Sequence, residues 1–386
     1  MNDKRRARAS MNFSASEYDA RLVDLRGRML AEDLETLILL SPENIYYFSG
    51  YHSLEPPSTL AALIVPAQGG PILVVRRVDR ALARFTSWIE DLQLYADREG
   101  PGAIVAAVRG AGWGGQRTGI EEHSPNCGVR LHRALLEGLP HLIDGSGLAE
   151  ACRLIKSPAE IACLEAAARM TDAGMSAVLE RLREGVTDNE LAAAAYAAMV
   201  EAGSEFMPMD PIVAGGALAG VTHANFSRIA LARGDAVFCH LAAVRHRYCA
   251  PSQRLMTIGE PPEEWRRLSE RAHRVQDSLL AEMRPGVSAA SIEAMARKGL
   301  EDEGVIRFGG SGGNSIGVGF HSYAEPSVGA LNAGLTAPLA ANMCFHPTIG
   351  LQPRGGPVIC AADLVVIGET GPRTLGRMPR EILWNP

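Results

Sequence analysis

No stretch of this 386-residue sequence approaches the roughly 18–20 consecutive apolar residues that a membrane-spanning helix needs, so no membrane partner is expected. The start, Met1 to Asp19, is basic but has no apolar h-region and does not read as a secretory signal. An excess of one charge sign is missing too. Lys and Arg number 38 against 44 Asp and Glu, interspersed along the chain, for a net charge of −6. That balance gives no support for a nucleic-acid partner, which would call for a basic patch. The seven cysteines are scattered, odd in number and never spaced as CxxC. In a chain this long they read as reduced thiols of a cytoplasmic protein rather than a disulfide framework. The glycines between positions 309 and 319 come with neither GK[ST] nor a GxGxxG opening a helix, which excludes a phosphate-binding loop.

What the sequence does have is apolar bulk, 47% hydrophobic against 21% charged, enough to bury a sizeable core in two or three domains. Residues 1–15 are polar and are expected to form a disordered tail. From Ser16 to Glu32, Tyr18, Leu22, Leu25 and Leu30 recur at helical spacing. Short apolar runs at 36–40, 61–66 and 71–75 read as strands, with helical stretches at 76–87, 101–112 and 126–138. Residues 16–155 are therefore expected to be an α/β domain with a mixed sheet. At the junction, Ser157 suits an N-cap, Pro158 the first helical turn and Glu160 a capping box. Helices at 158–182 and 188–203 follow, then strands at 235–241 and 248–258, helices at 262–283 and 288–304, and short strands at 343–349 and 358–367. Two helices and a hairpin, twice over, make 156–386 an α+β domain with internal pseudo-symmetry, although no sequence repeat is visible.

These landmarks resemble the creatinase, prolidase and aminopeptidase P superfamily. Ile155 to Ile161 resembles the superfamily's domain junction, and Arg233 to Leu241 the strand that carries its first metal aspartate. Tyr248 to Arg254 resembles the segment with the second aspartate, and Gly313 to Gly319 the loop with the metal histidine. Asn342 to Thr348 and Ile359 to Gly371 resemble the two glutamate-bearing strands. The resemblance implies a pita-bread catalytic domain at 156–386 behind a smaller creatinase-like α/β domain at 16–155. The metallopeptidases of this group hold two divalent ions with two Asp, one His and two Glu. At the matching positions stand His240, Pro251, Asn314, Thr348 and Ala362, so neither metal nor cofactor is expected. Creatinase and ectoine hydrolase work without metal. Thr222-His223-Ala224, Ser315 to Gly319, Met343 to His346 and Leu375 to Glu381 are similar to ectoine hydrolase, which however keeps a carboxylate where His240 stands.

His223 is a candidate general acid or base, against the ordinary reading of a satisfied loop histidine. His240 lies in an apolar strand on the face of Phe238. It is either a nucleophile or base, or a core histidine bonded across strands. Glu325 matches the loop glutamate of ectoine hydrolase and is the candidate catalytic carboxylate, its competing reading being a solvated charge. Asp363 directly follows Ala362 and should face the other way. His346, Gln253, His321, Tyr323, Thr348 and Asn314 are candidate substrate-binding groups, whereas Cys344 reads as structural. Arg245 and Arg247 flank His246 at a hairpin turn and are expected on a solvated face. A creatinase-like homodimer is implied, with Tyr51 and His52 closing the partner's pocket.

The function expected is metal-independent hydrolysis of a C–N bond in a small polar metabolite such as a cyclic amidine, amide or guanidine. Two alternatives stay open. One is a lyase, cyclase or isomerase using histidine acid/base chemistry. The other is a non-catalytic binding module like the peptidase-like domain of a histone chaperone.

Overall fold

The computed structural model describes residues 11–53, 59–300, 305–308, 312–325 and 327–386. Two compact units divide the chain, Met1–Arg153 and Leu154–Pro386.

In the first unit, helix Ala15–Ala31 is capped by Ser14, whose Oγ accepts from the Glu17 amide at 3.2 Å. Tyr18, Leu22, Leu25 and Met29 bury one face at helical spacing. Packing reaches back before this helix, against the expectation of a tail to residue 15. Phe13 is buried and Asn12 donates to the Tyr46 hydroxyl at 2.9 Å. Residues 1–10 of that tail lie outside the described residues. The six strands run in the order Asp91–Tyr95, Ile72–Arg76, Ala62–Pro66, Thr36–Leu39, Thr118–Ile120 and Leu142–Asp144. Thr36–Leu39 pairs antiparallel on one side and parallel on the other, which makes the sheet mixed. A polar knot sits beside it. Glu121 accepts from the backbone amides of Leu40 and Ser41 at 2.6 and 2.7 Å, and Asn44 bridges it to Glu150.

In the second unit, helices Pro158–Arg181 and Asp188–Glu201 both open on capping boxes, Ser157 with Glu160 and Thr187 with Glu190. They pack on a long hairpin, Ala236–Arg245 and Tyr248–Ile258. Alternation along the first strand divides the core in two. Val237, Cys239 and Leu241 pack with Met175, Val178 and Met199 on the helix side, whereas Phe238 joins Leu255, Leu268 and Phe345 on the other. Thr171 ties helix to hairpin, donating to the Ala250 carbonyl at 2.7 Å and accepting from the Ala243 amide at 2.9 Å.

A two-residue turn, His246-Arg247, joins the hairpin strands, and both residues have positive φ (49° and 64°). Such turns match the twist of the flanking strands but normally take Asn or Gly. Arg247 is not on a solvated face as the sequence suggested. It is 4% exposed, with its guanidinium 4.2 Å from the Phe206 ring and 4.3 Å from the Phe320 ring. Two aromatic faces compensate the buried cation. Ile212–Gly215 and Leu383–Asn385 extend the hairpin sheet, and three smaller strand groups follow the hairpin in sequence. Asn314–Ser315, Cys344–His346, Val365–Ile367 and Pro372–Thr374 form one sheet, Val305–Phe308, Gly350–Pro353 and Ile359–Cys360 another, and Ala362–Asp363 pairs onto the hairpin. Among the described residues no helix is long and apolar enough to cross a membrane.

Candidate active site

The hairpin register sets the site. Ile212, His240, Gln253 and Ala362 are cross-strand partners in one row over four strands, so their side chains share a face. Ala242 and Pro251 form the next row on that face. Cys344–His346 lies in the adjoining sheet, where Asn314 is the partner of His346. A cavity of about 540 Å³ opens over these residues. Its polar lining comes from Thr222, His223, His240, Gln253, Asn314 and Thr348, with Tyr323 at one wall. Phe238, Ile212, Met209, Val221 and Val358 supply most of the rest. Among the described residues the lining has no Asp, Glu, Lys or Arg.

Two imidazoles and a phenol pack at the inner wall. The rings of His240 and His346 stack at 5.8 Å with 16° between planes, and Tyr323 meets them edge-on at 4.7 and 5.9 Å. His346 is wholly buried behind His240, and its Nδ1 is 3.3 Å from the Thr348 hydroxyl. Burial holds the His240 imidazole well below its usual range, with the neighbouring His346 and His223 adding to the effect. Burial pushes His346 down to about 4, against the opposing pull of Asp363. Both rings are therefore neutral at pH 7. The Nε2 of His240 is buried with no protein partner among the described residues. His223 is different. It is exposed at the cavity rim with φ 62°, a left-handed conformation unusual for a side-chain-bearing residue.

Not every expected residue is brought to this cavity. Glu325 is 2% exposed, yet its carboxylate meets Lys156 Nζ at 3.3 Å and accepts from the Val318 amide at 3.0 Å. It is neither solvated nor among the cavity-lining residues, because a buried carboxylate seeks a cation and Lys156 supplies it. A Cβ built on Gly317 would stand 2.4 Å from Glu325 Oε2, so glycine is what lets the carboxylate in. His321 is exposed and does not line the cavity. Tyr51 and His52 belong to the first unit, where Tyr51 is buried and His52 Nδ1 lies 3.2 Å from the Gly50 carbonyl. Asp363 points away from the cavity face as its adjacency to Ala362 implied. It pairs with Arg254 at 2.7 Å and accepts from Ser252 at 2.9 Å.

With that geometry in view, comparison with known proteins places the chain. Residues 162–369 match the metallopeptidase family M24, and residues 21–155 match the creatinase/prolidase N-terminal domain. The chain belongs to metallopeptidase family M24. It is 24% identical over 396 residues to an ectoine hydrolase of Halomonas elongata, covering 97% of this chain and 98% of that protein. It is 27% identical over 382 residues to a probable dipeptidase, PepE, of Mycobacterium tuberculosis, covering 98% and 99%. Among solved structures, an X-Pro aminopeptidase of Thermotoga maritima superimposes with a TM-score of 0.82 at 20% identity, covering 94% of this chain and 99% of that one. That likeness shows the pita-bread fold, an α+β C-terminal domain that follows a smaller N-terminal domain in the chain, as the sequence landmarks implied.

The donors at the five ligand positions do not fit the dinuclear centre of this M24 fold. Pro251 and Ala362 have no side-chain donor, and Asn314 and Thr348 offer only a neutral amide and hydroxyl. Hard divalent ions want carboxylates, and His240 alone is a competent ligand. Among the described residues no three of His, Cys, Asp and Glu come together as a ligand set. Sequence reasoning missed Cys360, whose Sγ donates to Gln253 Oε1 at 3.2 Å. Its odd place in an apolar run gave no signal, because the contact spans 107 residues.

Proposed function

We propose that this chain is a hydrolase that breaks a C–N bond in a small polar metabolite, of the cyclic amidine, amide or guanidine kind, without a bound metal pair. The observation that carries this reading is a cavity lined by the neutral His240 imidazole, by amide and hydroxyl groups and, among the described residues, by no carboxylate. Water adds to the substrate carbon, the C–N bond breaks, and the departing nitrogen takes up a proton. His223, at the rim, removes the proton from the attacking water and returns it to the nitrogen. Gln253, Asn314, Thr348 and Tyr323 orient the substrate. The relative named ectoine hydrolase supports a non-peptide substrate, whereas the relatives named dipeptidase and aminopeptidase would favour a peptide bond.

The test is a turnover screen of cyclic amidines, lactams and guanidines beside Xaa-Pro dipeptides, run in ¹⁸O-water with and without a chelator. Expected are ¹⁸O in the product of a non-peptide substrate, no loss of rate on chelation, and a loss of about 10²–10⁴-fold in His223→Ala. Dipeptide cleavage that needs added divalent metal would overturn the reading, and a product free of ¹⁸O would point to lyase or isomerase chemistry. The same reading carries a homodimer in which His52 of one chain closes the other's cavity, Tyr51 being buried in its own unit. Sedimentation equilibrium should give twice the 41.2 kDa chain mass, and a monomer with full turnover would remove this part of the proposal.

A further inference from the structure

We infer that His240 acts as an uncharged hydrogen-bond donor, presenting Nε2–H to an acceptor atom of the substrate, and that Gln253, held by Cys360, is the positioning residue that fixes this tautomer. The inference rests on the reading of the cavity as the reaction site.

Three buried groups form a chain across neighbouring strands. Cys360 Sγ is 3.2 Å from Gln253 Oε1, and Gln253 Nε2 is 3.3 Å from His240 Nδ1. Cys360, Gln253 and His240 are 4%, 3% and 5% exposed. Burial pushes the Cys360 thiol up to about 12, so it keeps its proton and has one to give. An amide oxygen can only accept, so the thiol claims Oε1 and turns the NH₂ towards the ring. An NH₂ can only donate, which makes Nδ1 the acceptor. A neutral imidazole carries one proton, and that proton is then on Nε2. His346 stacked behind and Tyr323 edge-on hold the ring plane.

Nε2 itself is buried, lacks a protein partner among the described residues, and belongs to a ring that lines the cavity. Buried donors are nearly always satisfied, so one left open at a cavity wall is a place for a ligand acceptor. The carbonyl oxygen of an amide, or the imine-type nitrogen of an amidine or guanidine, meets that need. As water adds to the adjacent carbon, negative charge gathers on this atom, and a fixed N–H in a dry wall stabilises it. His240 thus takes over, without charge, part of what a metal ion does when it polarises the same atom. This role differs from the base or nucleophile that was one reading of the sequence and builds on the other, a histidine bonded across strands, since Nδ1 is occupied and Nε2 carries the proton.

The test reads the tautomer directly by long-range ¹H–¹⁵N correlation on protein labelled with ¹⁵N-histidine, His240 being assigned from its missing signals in His240→Phe. Wild type at pH 7 should show His240 protonated at Nε2 and bare at Nδ1. Cys360→Ser, which keeps a donor, should leave the pattern unchanged. Gln253→Glu, whose ionised carboxylate can only accept, should put a proton on Nδ1. Wild-type His240 protonated at Nδ1 would overturn the inference, as would a Gln253→Glu protein whose pattern stays the same. Should Gln253→Glu not fold, a neutron structure of the wild type locates the proton with the same two outcomes. Neither experiment uses substrate, so the inference and the proposed reaction fail separately.

Discussion

Glu325 carries a carboxylate into a wholly buried position, where the Lys156 ammonium pairs with it. Removing one member of such a pair strands the other charge and typically costs about 3–5 kcal/mol. Glu325→Ala should therefore lower the unfolding free energy by about that amount in urea titration, whereas turnover per folded molecule stays within a few-fold of wild type. A variant that unfolds like wild type yet has lost turnover would return Glu325 to the reaction. The two carboxylates singled out in the sequence were not equally legible. Asp363 could be placed from its neighbour, because strand side chains alternate. Glu325 could not, because its partner lies 169 residues away and nothing local marks that pairing. His240 and Gln253 were both singled out in the sequence, yet their mutual contact needs the hairpin register.

Helix starts and long strands were the most legible elements, since their signals are local. The Ser157–Glu160 box occurs as written, with the Ser157 amide donating to Glu160 Oε2 at 2.8 Å and the Glu160 amide to Ser157 Oγ at 3.2 Å. Glu160 also accepts from the Tyr248 hydroxyl at 2.6 Å, so this cap pins a helix to the hairpin. Less legible were strands of a few residues, such as Asp91–Tyr95, Thr118–Ile120 and Leu142–Asp144, which are too short to display a period. The expected strand at 358–367 is three fragments, Ile359–Cys360, Ala362–Asp363 and Val365–Ile367, each pairing with a different neighbour. That division is what sets Cys360 and Ala362 both against Gln253, and no single-strand pattern could reveal it.

Across the whole chain, buried titratable groups in the two units respond to pH in opposite directions. In the first unit, burial and then the charge of Glu150 push the Glu121 carboxyl from 4.5 up to about 7, against hydrogen bonds from Ser41, Leu40 and Asn44. Its folded form holds a proton that the unfolded chain releases between those values, so this unit loses stability as pH rises from 4.5 through 7. In the second unit, His346 is depressed from 6.5 to about 4, and the unfolded chain takes up a proton that the folded one refuses. This unit loses stability as pH falls from 6.5 to about 4, by roughly 3 kcal/mol in all at about 1.4 kcal/mol per unit. Calorimetric scans between pH 4.5 and 6.5 should show two transitions drifting apart or together, with Glu121→Gln flattening one and His346→Asn making the other shallower, His240 still contributing to it. Parallel drift of both transitions would contradict the assignment.

The turn at His246-Arg247 has a reach out of proportion to its size. It counts residues for the whole hairpin, and His240 stands five positions, roughly 17 Å, back along the strand from Arg245. One residue gained or lost there would set His240 opposite Ser252 or Arg254 and turn one strand's side chains over. A guanidinium now locked to Asp363 would face the imidazoles, and the uncharged wall would be gone. Mutational drift can therefore exchange wall residues one at a time, but a change in turn length alters all of them in one event.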